Sequence, residues 1–246
     1  MTTSPAPDAA PLAGIRAVTY DLWQTLIVDV DSGEVWARRT TALCELLDTS
    51  YDAAAGHLKE AYAALGDAWA RGRSVSVPSL AESILRAAGR EGEDTGGVVR
   101  ALEQATLPGT IRLLPEVADT LGALRRAGYP VGLVSDTGMT SGRHLRGLLR
   151  ELGLLDAFTV LVFSDETGTP KPAARPFQTA LQTLGTTAAQ TVHVGDLRRR
   201  DVAGAVSAGL AAVRYRGAYD DVEPGPADAA HVIDRHSQLL DLLGIA

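Results

Sequence analysis

The chain has 246 residues, 46% of them hydrophobic and 22% charged, with 25 glycines and a formal net charge of −7. This describes a soluble globular chain of one large or two modest domains, and the acidic balance, without an aromatic-laced basic patch, argues against nucleic acid as a partner. The single cysteine, Cys44, excludes an intrachain disulfide and a thiolate metal cluster, and in its helical context reads as a small buried hydrophobe.

Residues 1–13 are rich in Pro and Ala and are expected to form a disordered tail; they lack the basic and apolar regions of a secretory leader. No stretch approaches the roughly 18 apolar residues of a membrane helix, so no membrane association is expected and the location read from the sequence is the cytoplasm. The first strand signal, Ala17-Val18-Thr19-Tyr20, delivers Asp21 at its end, and Leu22 and Trp23 follow. A carboxylate closing a buried strand costs several kcal/mol unless it is partnered, so a cation is expected beside it.

Four stretches then carry apolar residues at helical spacing: Glu34–Asp48, Asp52–Trp69, Pro78–Ala88 and about Thr95–Leu107. With no strand signal between them, residues 33–109 read as an all-helical cap domain inserted into residues 14–32 and 110–246. From Pro115 the pattern changes to a helix ending at Gly128, a strand Val131–Val134 reaching Ser135-Asp136, and a helix Gly142–Leu152. Strand Thr159–Phe163, helix Ala174–Leu184, strand Thr191–Val194, helix Val202–Ala208, strand Ala211–Tyr215 and helix Ser237–Leu243 complete it. Strands alternating with helices predict an α/β core, a doubly wound (Rossmann-like) parallel sheet covered on both faces, with ligands at the carboxyl ends of the strands. The loop Gly217–Pro226 contains Tyr219-Asp220-Asp221 but carries no other signal.

Polar residues cluster at those strand ends. Asp21 ends the first strand, Ser135 the strand after the insert, Lys171 sits in Thr169-Pro170-Lys171-Pro172, and Gly195-Asp196 ends a later strand with Asp201 five residues beyond Asp196. Each has a plain structural alternative. Ser135 could satisfy its own backbone, Lys171 could be an exposed loop lysine, and Asp196 could only cap the following helix. Arg198-Arg199-Arg200 reads as a solvated charge run, and His193, inside a strand, as a packed core histidine.

Taken in order, the four segments resemble the haloacid dehalogenase-like (HAD) hydrolase superfamily, and within it the phosphatase branch with a helical, C1-type cap after the first strand. The resemblance runs from Ile15 to the ending Gly225-Pro226-Ala227-Asp228-Ala229-Ala230-His231-Val232-Ile233-Asp234. It implies that Asp21 is a nucleophile forming an aspartyl-phosphate, and that Mg²⁺ is held by Asp21, Asp196 and the backbone carbonyl two residues after the nucleophile, here Trp23. It implies that Ser135 and Lys171 act in catalysis, that Thr25, Ser135, Asp136 and Lys171 hold phosphate, and that Asp201 orients Lys171 or a metal-bound water. The implied partner is a small phosphorylated metabolite, and the chain is expected to be a monomer or homodimer. Hard oxygen donors suit Mg²⁺, and an ammonium suits the charge that develops on phosphate.

Trp23 departs from the family pattern. Phosphatases of this kind carry a second Asp two residues after the nucleophile as acid and base, whereas an indole has one N–H donor and does not titrate. General acid–base catalysis is typically worth 10²–10⁴-fold, so alkyl phosphates should turn over poorly unless Asp29, Asp31, Asp136 or a cap residue supplies the proton. Two other activities share an incomplete motif. A 2-haloacid dehalogenase has an aromatic residue at this position and a cap arginine for halide, a role open to Arg38 or Arg39; a phosphonate-cleaving relative would need a cap lysine, and Lys59 is the candidate. A catalytically weak scaffold that binds a phosphorylated ligand is the remaining alternative.

Overall fold

In chain order the chain forms β1 (Ala17–Tyr20), β2 (Ile27–Asp29) and four helices, α1 (Ser32–Leu47), α2 (Tyr51–Ala70), α3 (Val77–Ala87) and α4 (Gly96–Glu103). It continues through β3 (Ile111–Leu113), α5 (Val117–Arg126), β4 (Val131–Ser135), α6 (Gly142–Glu151), β5 (Val160–Phe163), α7 (Ser164–Thr167) and α8 (Ala174–Leu184). Then come β6 (Thr191–Gly195), a π-helical turn over Arg198–Val202, α9 (Ala203–Ser207), β7 (Ala211–Tyr215), β8 (His231–Ile233) and α10 (Ser237–Leu243). The computed structural model describes residues 12–245.

A strand with no polar face must be covered on both sides, and all four residues of β1 are buried. β1 lies between β4 and β6 in a parallel sheet of order β5-β4-β1-β6-β7-β8, with Val18 opposite both Val131 and Val192. The chain winds outward from β1 to β4 and β5, then returns to β6 on the other side. The strand order therefore reverses between β1 and β6, where a crevice opens at the carboxyl ends. Asp21 follows β1 and Asp196 follows β6, so both stand at this reversal.

The helices α1 to α4 bury their apolar faces mainly on one another, around Leu43, Leu58, Leu65, Leu80, Ile84 and Leu102. Polar side chains start three of them: Asp31 accepts from the N–H groups of Gly33 and Glu34, Ser50 from Ala53 and Ser76 from Ser79. Met139, from the loop after β4, enters the same cluster and ties these helices to the strand ends. Cys44 is half-buried, and its thiol donates to Thr49 O at 2.9 Å.

The parallel α/β core agrees with the sequence pattern, and the differences are local. β2 and β3 pair antiparallel where the chain leaves and re-enters the core, and β8 adds a sixth strand to the sheet; three residues are too few to show an alternating pattern. The helix expected from Pro115 starts at Val117, after Glu116 adopts a left-handed φ of 66°. The helix expected from Val202 is preceded by the π turn, and the fourth cap helix ends at Glu103 rather than Leu107. Most of the expected tail lies outside the described residues; Leu12, near its end, donates its N–H to Leu242 O at 2.8 Å.

His236 holds the turn after β1 from the opposite side. It is 1% exposed, stacks on Tyr215 with ring centres 4.3 Å apart, and donates from Nε2 to Thr25 O at 2.9 Å, while its Nδ1 has no partner among the described residues. Burial pushes its pKa down from 6.5 to about 4, so the unfolded chain binds this proton first as pH falls. The stability it contributes is present above pH 6.5 and lost as pH drops through about 4, at about 1.4 kcal/mol per pH unit within that window. His236→Gln keeps a donor for Thr25 O without titrating, and urea midpoints at pH 7 and pH 5 should show a smaller acid loss in the variant than in the native chain.

Candidate active site

Asp21 is 7% exposed, and its backbone N–H donates to Val194 O at 2.8 Å, which continues the β1–β6 pairing one residue past the strand. Lys171, 3% exposed, arrives from the loop after α7 and places Nζ 2.5 Å from Asp21 Oδ1 and 2.5 Å from Asp201 Oδ1. Burial opposes the ammonium's charge, but Asp201 and Asp21 hold its pKa above the ordinary lysine range. The cation expected beside Asp21 is therefore Lys171.

Asp201 is fixed from several directions. Its Oδ1 also meets His193 Nε2 at 3.1 Å, and its Oδ2 accepts from the N–H of Leu197 at 3.0 Å. Burial holds His193 below its ordinary pKa. A neutral imidazole has one N–H, and a carboxylate only accepts, so Nε2–H donates to Asp201 and Nδ1 accepts from Thr19 Oγ1 at 3.0 Å. His193 packs edge-on against Phe177, as a core histidine would, and it also steadies Asp201. Gly195 is required here: a Cβ would fall 2.3 Å from Asp201 Cγ. Burial works against the Asp201 charge, yet Lys171 and His193 hold its pKa well below the usual carboxylate range.

Asp196 is 3% exposed, and among the described residues no neighbouring side chain donates to its carboxylate. Burial, then the charges of Asp201 and Asp21, push its pKa up. Asp21 is pushed up by burial as well, with Lys171 opposing. Oxygens of Asp21, Asp196 and Asp201 lie within 4.8 Å of one another. The set is three buried carboxylates and one ammonium, with a deficit of positive charge centred on Asp196.

A cavity of about 390 Å³ opens over these groups, walled by the strand ends on one side and by α1 and α2 on the other. Asp21, Trp23, Asp136, Lys171, Asp196 and Asp201 line it. Ser135, 2% exposed, and Thr25, fully buried, do not. Among the described residues Ser135 Oγ makes one long bond, 3.4 Å to Asp136 O, and Thr25 Oγ1 has no partner. Asp136 binds with both oxygens, Oδ1 to the N–H of Lys171 and Oδ2 to Arg200 Nη1, each at 2.9 Å. Asp31 caps α1 on the surface, whereas Asp29 lines the cavity, its pKa raised by burial against the opposing charge of Arg39.

The arginines divide the same way. Arg38 pairs with Glu34 on the exposed face of α1, while Arg39 faces the cavity. In the run taken for a solvated face, Arg198 and Arg199 bind carbonyls of the 223–226 loop, but Arg200 turns inward, pairs with Asp136 and lies 4.4 Å over the ring of Trp69. The π turn redirects that residue, and no motif signals such a turn. Tyr219 is exposed, and Asp220 and Asp221 pair with Arg214 and Arg198 rather than lining the cavity.

A doubly wound sheet whose strand-end carboxylates flank a buried lysine, beneath helices α1 to α4, defines the class: an α/β protein with a candidate active site at the carboxyl ends of its strands. A family model for haloacid dehalogenase-like hydrolases matches residues 15–209, and the chain belongs to that family. The glyceraldehyde 3-phosphate phosphatase of Methanopyrus kandleri is 38% identical over 135 residues, covering 52% of this chain and 55% of that protein. The phosphoglycolate phosphatase of Salmonella paratyphi A is 34% identical over 134 residues, covering 54% and 52%. The chain thus spans about half the length of the curated relatives it matches. The solved structure of a 2-haloacid dehalogenase from Pseudomonas syringae pv. Tomato DC3000 superposes with a TM-score of 0.68 at 26% identity, covering 94% of this chain and 98% of that one.

Because Asp196 is a buried carboxylate among like charges, Asp196→Asn should raise the stability of the protein in EDTA by about 1–2 kcal/mol, or about 2–8 °C in Tm. A thermal melt showing a lower Tm for the variant would mean that the native carboxylate is already neutralised.

Proposed function

We propose that the chain is a Mg²⁺-dependent phosphatase of a small phosphorylated metabolite, working through an aspartyl-phosphate on Asp21 without an acid–base residue at Trp23. The observation that carries it is the unpartnered, buried Asp196 beside Asp21. A carboxyl so placed takes up either a proton or a cation, and the donor set fits Mg²⁺: Asp21 and Asp196 carboxylates plus the Trp23 carbonyl, which accepts no backbone hydrogen bond among the described residues. Asp201 has both oxygens committed to Lys171, His193 and Leu197, which suits an orienting role. When bound, the ion would draw charge from phosphate and from the nucleophile.

In this reading an Asp21 oxygen attacks phosphorus, the ester P–O bond breaks with its electron pair going to the leaving oxygen, and water then hydrolyses the acyl phosphate. Lys171 compensates the charge on Asp21 and the transferring group, while Ser135 and Thr25 come to phosphate only if the strand ends shift. Trp23 walls the cavity and supplies no proton. Of the carboxylates in reach, Asp136 has both oxygens bound and Asp31 faces solvent, which leaves Asp29 free to move one. Arg39 and the aromatic Trp23 in one cavity favour dehalogenation as a second reading, although that chemistry leaves Asp196 without a partner.

Phosphate release from p-nitrophenyl phosphate should require Mg²⁺ and stop in EDTA, and turnover should fall steeply as the leaving-group pKa rises, more steeply still in Asp29→Asn. Trp23→Asp should raise alkyl-phosphate turnover by tenfold or more. Halide release from 2-haloacids that survives EDTA would replace this reading with the second, and no turnover of either class would leave a binding scaffold.

A further inference from the structure

Two guanidinium groups line the cavity, Arg39 from α1 and Arg200 from the turn after β6. Arg39 donates from Nε to Leu102 O at 2.9 Å, and from Nη2 to Thr106 Oγ1 at 3.0 Å and Thr140 Oγ1 at 3.2 Å. These acceptors are all neutral, and Arg39 makes no ion pair among the described residues; the charge of Asp29 reaches it only through space. Its Nη1 has no partner among the described residues. Arg200 is held by Asp136 through Nη1 and by the face of Trp69, which leaves Nε and Nη2 without partners among the described residues.

Rigidly placed guanidinium groups with spare coplanar donors suit carboxylate or phosphate oxygens. A desolvated cation against neutral acceptors is costly, and an anionic ligand offsets that cost. Lys171 is already shared between Asp21 and Asp201, so a second anionic group calls for a cation of its own. The space also suits a small molecule, since the whole cavity is about 390 Å³.

We propose that Arg39 and Arg200 form a subsite for a second anionic group of the substrate. The substrate class is then a small phosphorylated compound bearing a carboxylate or another phosphate, rather than the phosphate of a neutral alcohol. The assignment of the first phosphate to the Asp21–Lys171 end rests on the phosphatase reading. The subsite itself rests on the arginines.

Calorimetric titration of the full chain in excess Mg²⁺ tests it with non-hydrolysable probes: phosphonoacetate and methylenebisphosphonate, each against ethylphosphonate. At least one dianionic-ended probe should bind fivefold or more tightly than ethylphosphonate, and the tighter of the two tells a carboxylate subsite from a phosphate one. Arg39→Gln and Arg200→Gln should each cut that ratio at least by half, with Arg39→Lys retaining more of it than Arg39→Gln. A native ratio below fivefold for both probes overturns the proposal, as does an undiminished ratio in both Gln variants. Should a Gln variant not fold, the native ratio and the Lys variant decide. Absence of phosphate release from any ester would overturn the phosphatase reading while leaving the binding ratio to judge the subsite.

Discussion

The buried ammonium of Lys171, seated between Asp21 and Asp201, is the interaction on which the site depends. Removing two carboxylates and a lysine from water is costly, and their mutual attraction offsets this only when geometry is close and the remaining oxygens are bonded. Both conditions hold for Asp201, which is braced by His193, Thr19 behind it, and the Leu197 N–H. The constraint reaches into the backbone. Gly195 has no room for a Cβ because Asp201 lies against it, and the N–H of Lys171 is anchored by Asp136. The reversal of strand order next to β1 makes the arrangement possible, since it brings residues 21, 171, 196 and 201 to one crevice.

What the triad leaves unresolved is as informative as what it satisfies. One ammonium, Lys171, offsets only one of the two charges of Asp21 and Asp201, and among the described residues no side chain pairs with Asp196. In the proposed reading, a fold that keeps such a carboxylate gives up stability when metal-free in exchange for a site that attracts a dication. Trp23 does not alter that balance, because its backbone carbonyl is as available as that of any other residue. It alters the proton inventory, by walling the cavity with a group that cannot titrate.

The cap contributes a different kind of chemistry. Its helices bury their apolar faces on one another and present to the cavity a few polar groups, chief among them Arg39. Trp69 on α2 meets Arg200 from the core, so the wall of the cavity is shared between cap and sheet. In the proposed phosphatase reading, transfer of phosphate falls to the strand ends, and choice among phosphorylated compounds falls to the wall facing them.

The parallel sheet, the helical insert and the succession Asp21, Lys171, Asp196 and Asp201 were legible in the sequence, because long apolar periodicities and acidic residues at strand ends leave local marks. The three-residue strands β2, β3 and β8 were not, since so short a run shows no period, and the inward turn of Arg200 was not, since a π turn has no signature of its own. Arg38 and Arg39 are adjacent and alike in composition. Only the packing of α1 sends one to solvent and the other to Thr106 and Thr140. The same holds for Ser135 and Thr25, whose motif positions are clear but whose hydroxyls lie behind the cavity wall. Sequence by itself determined which chemical groups stand at the strand ends, because strand propensity and chain order are local properties. Tertiary structure decided which of them share one buried volume and which are already bonded, because burial and charge compensation exist only between segments that folding brings together.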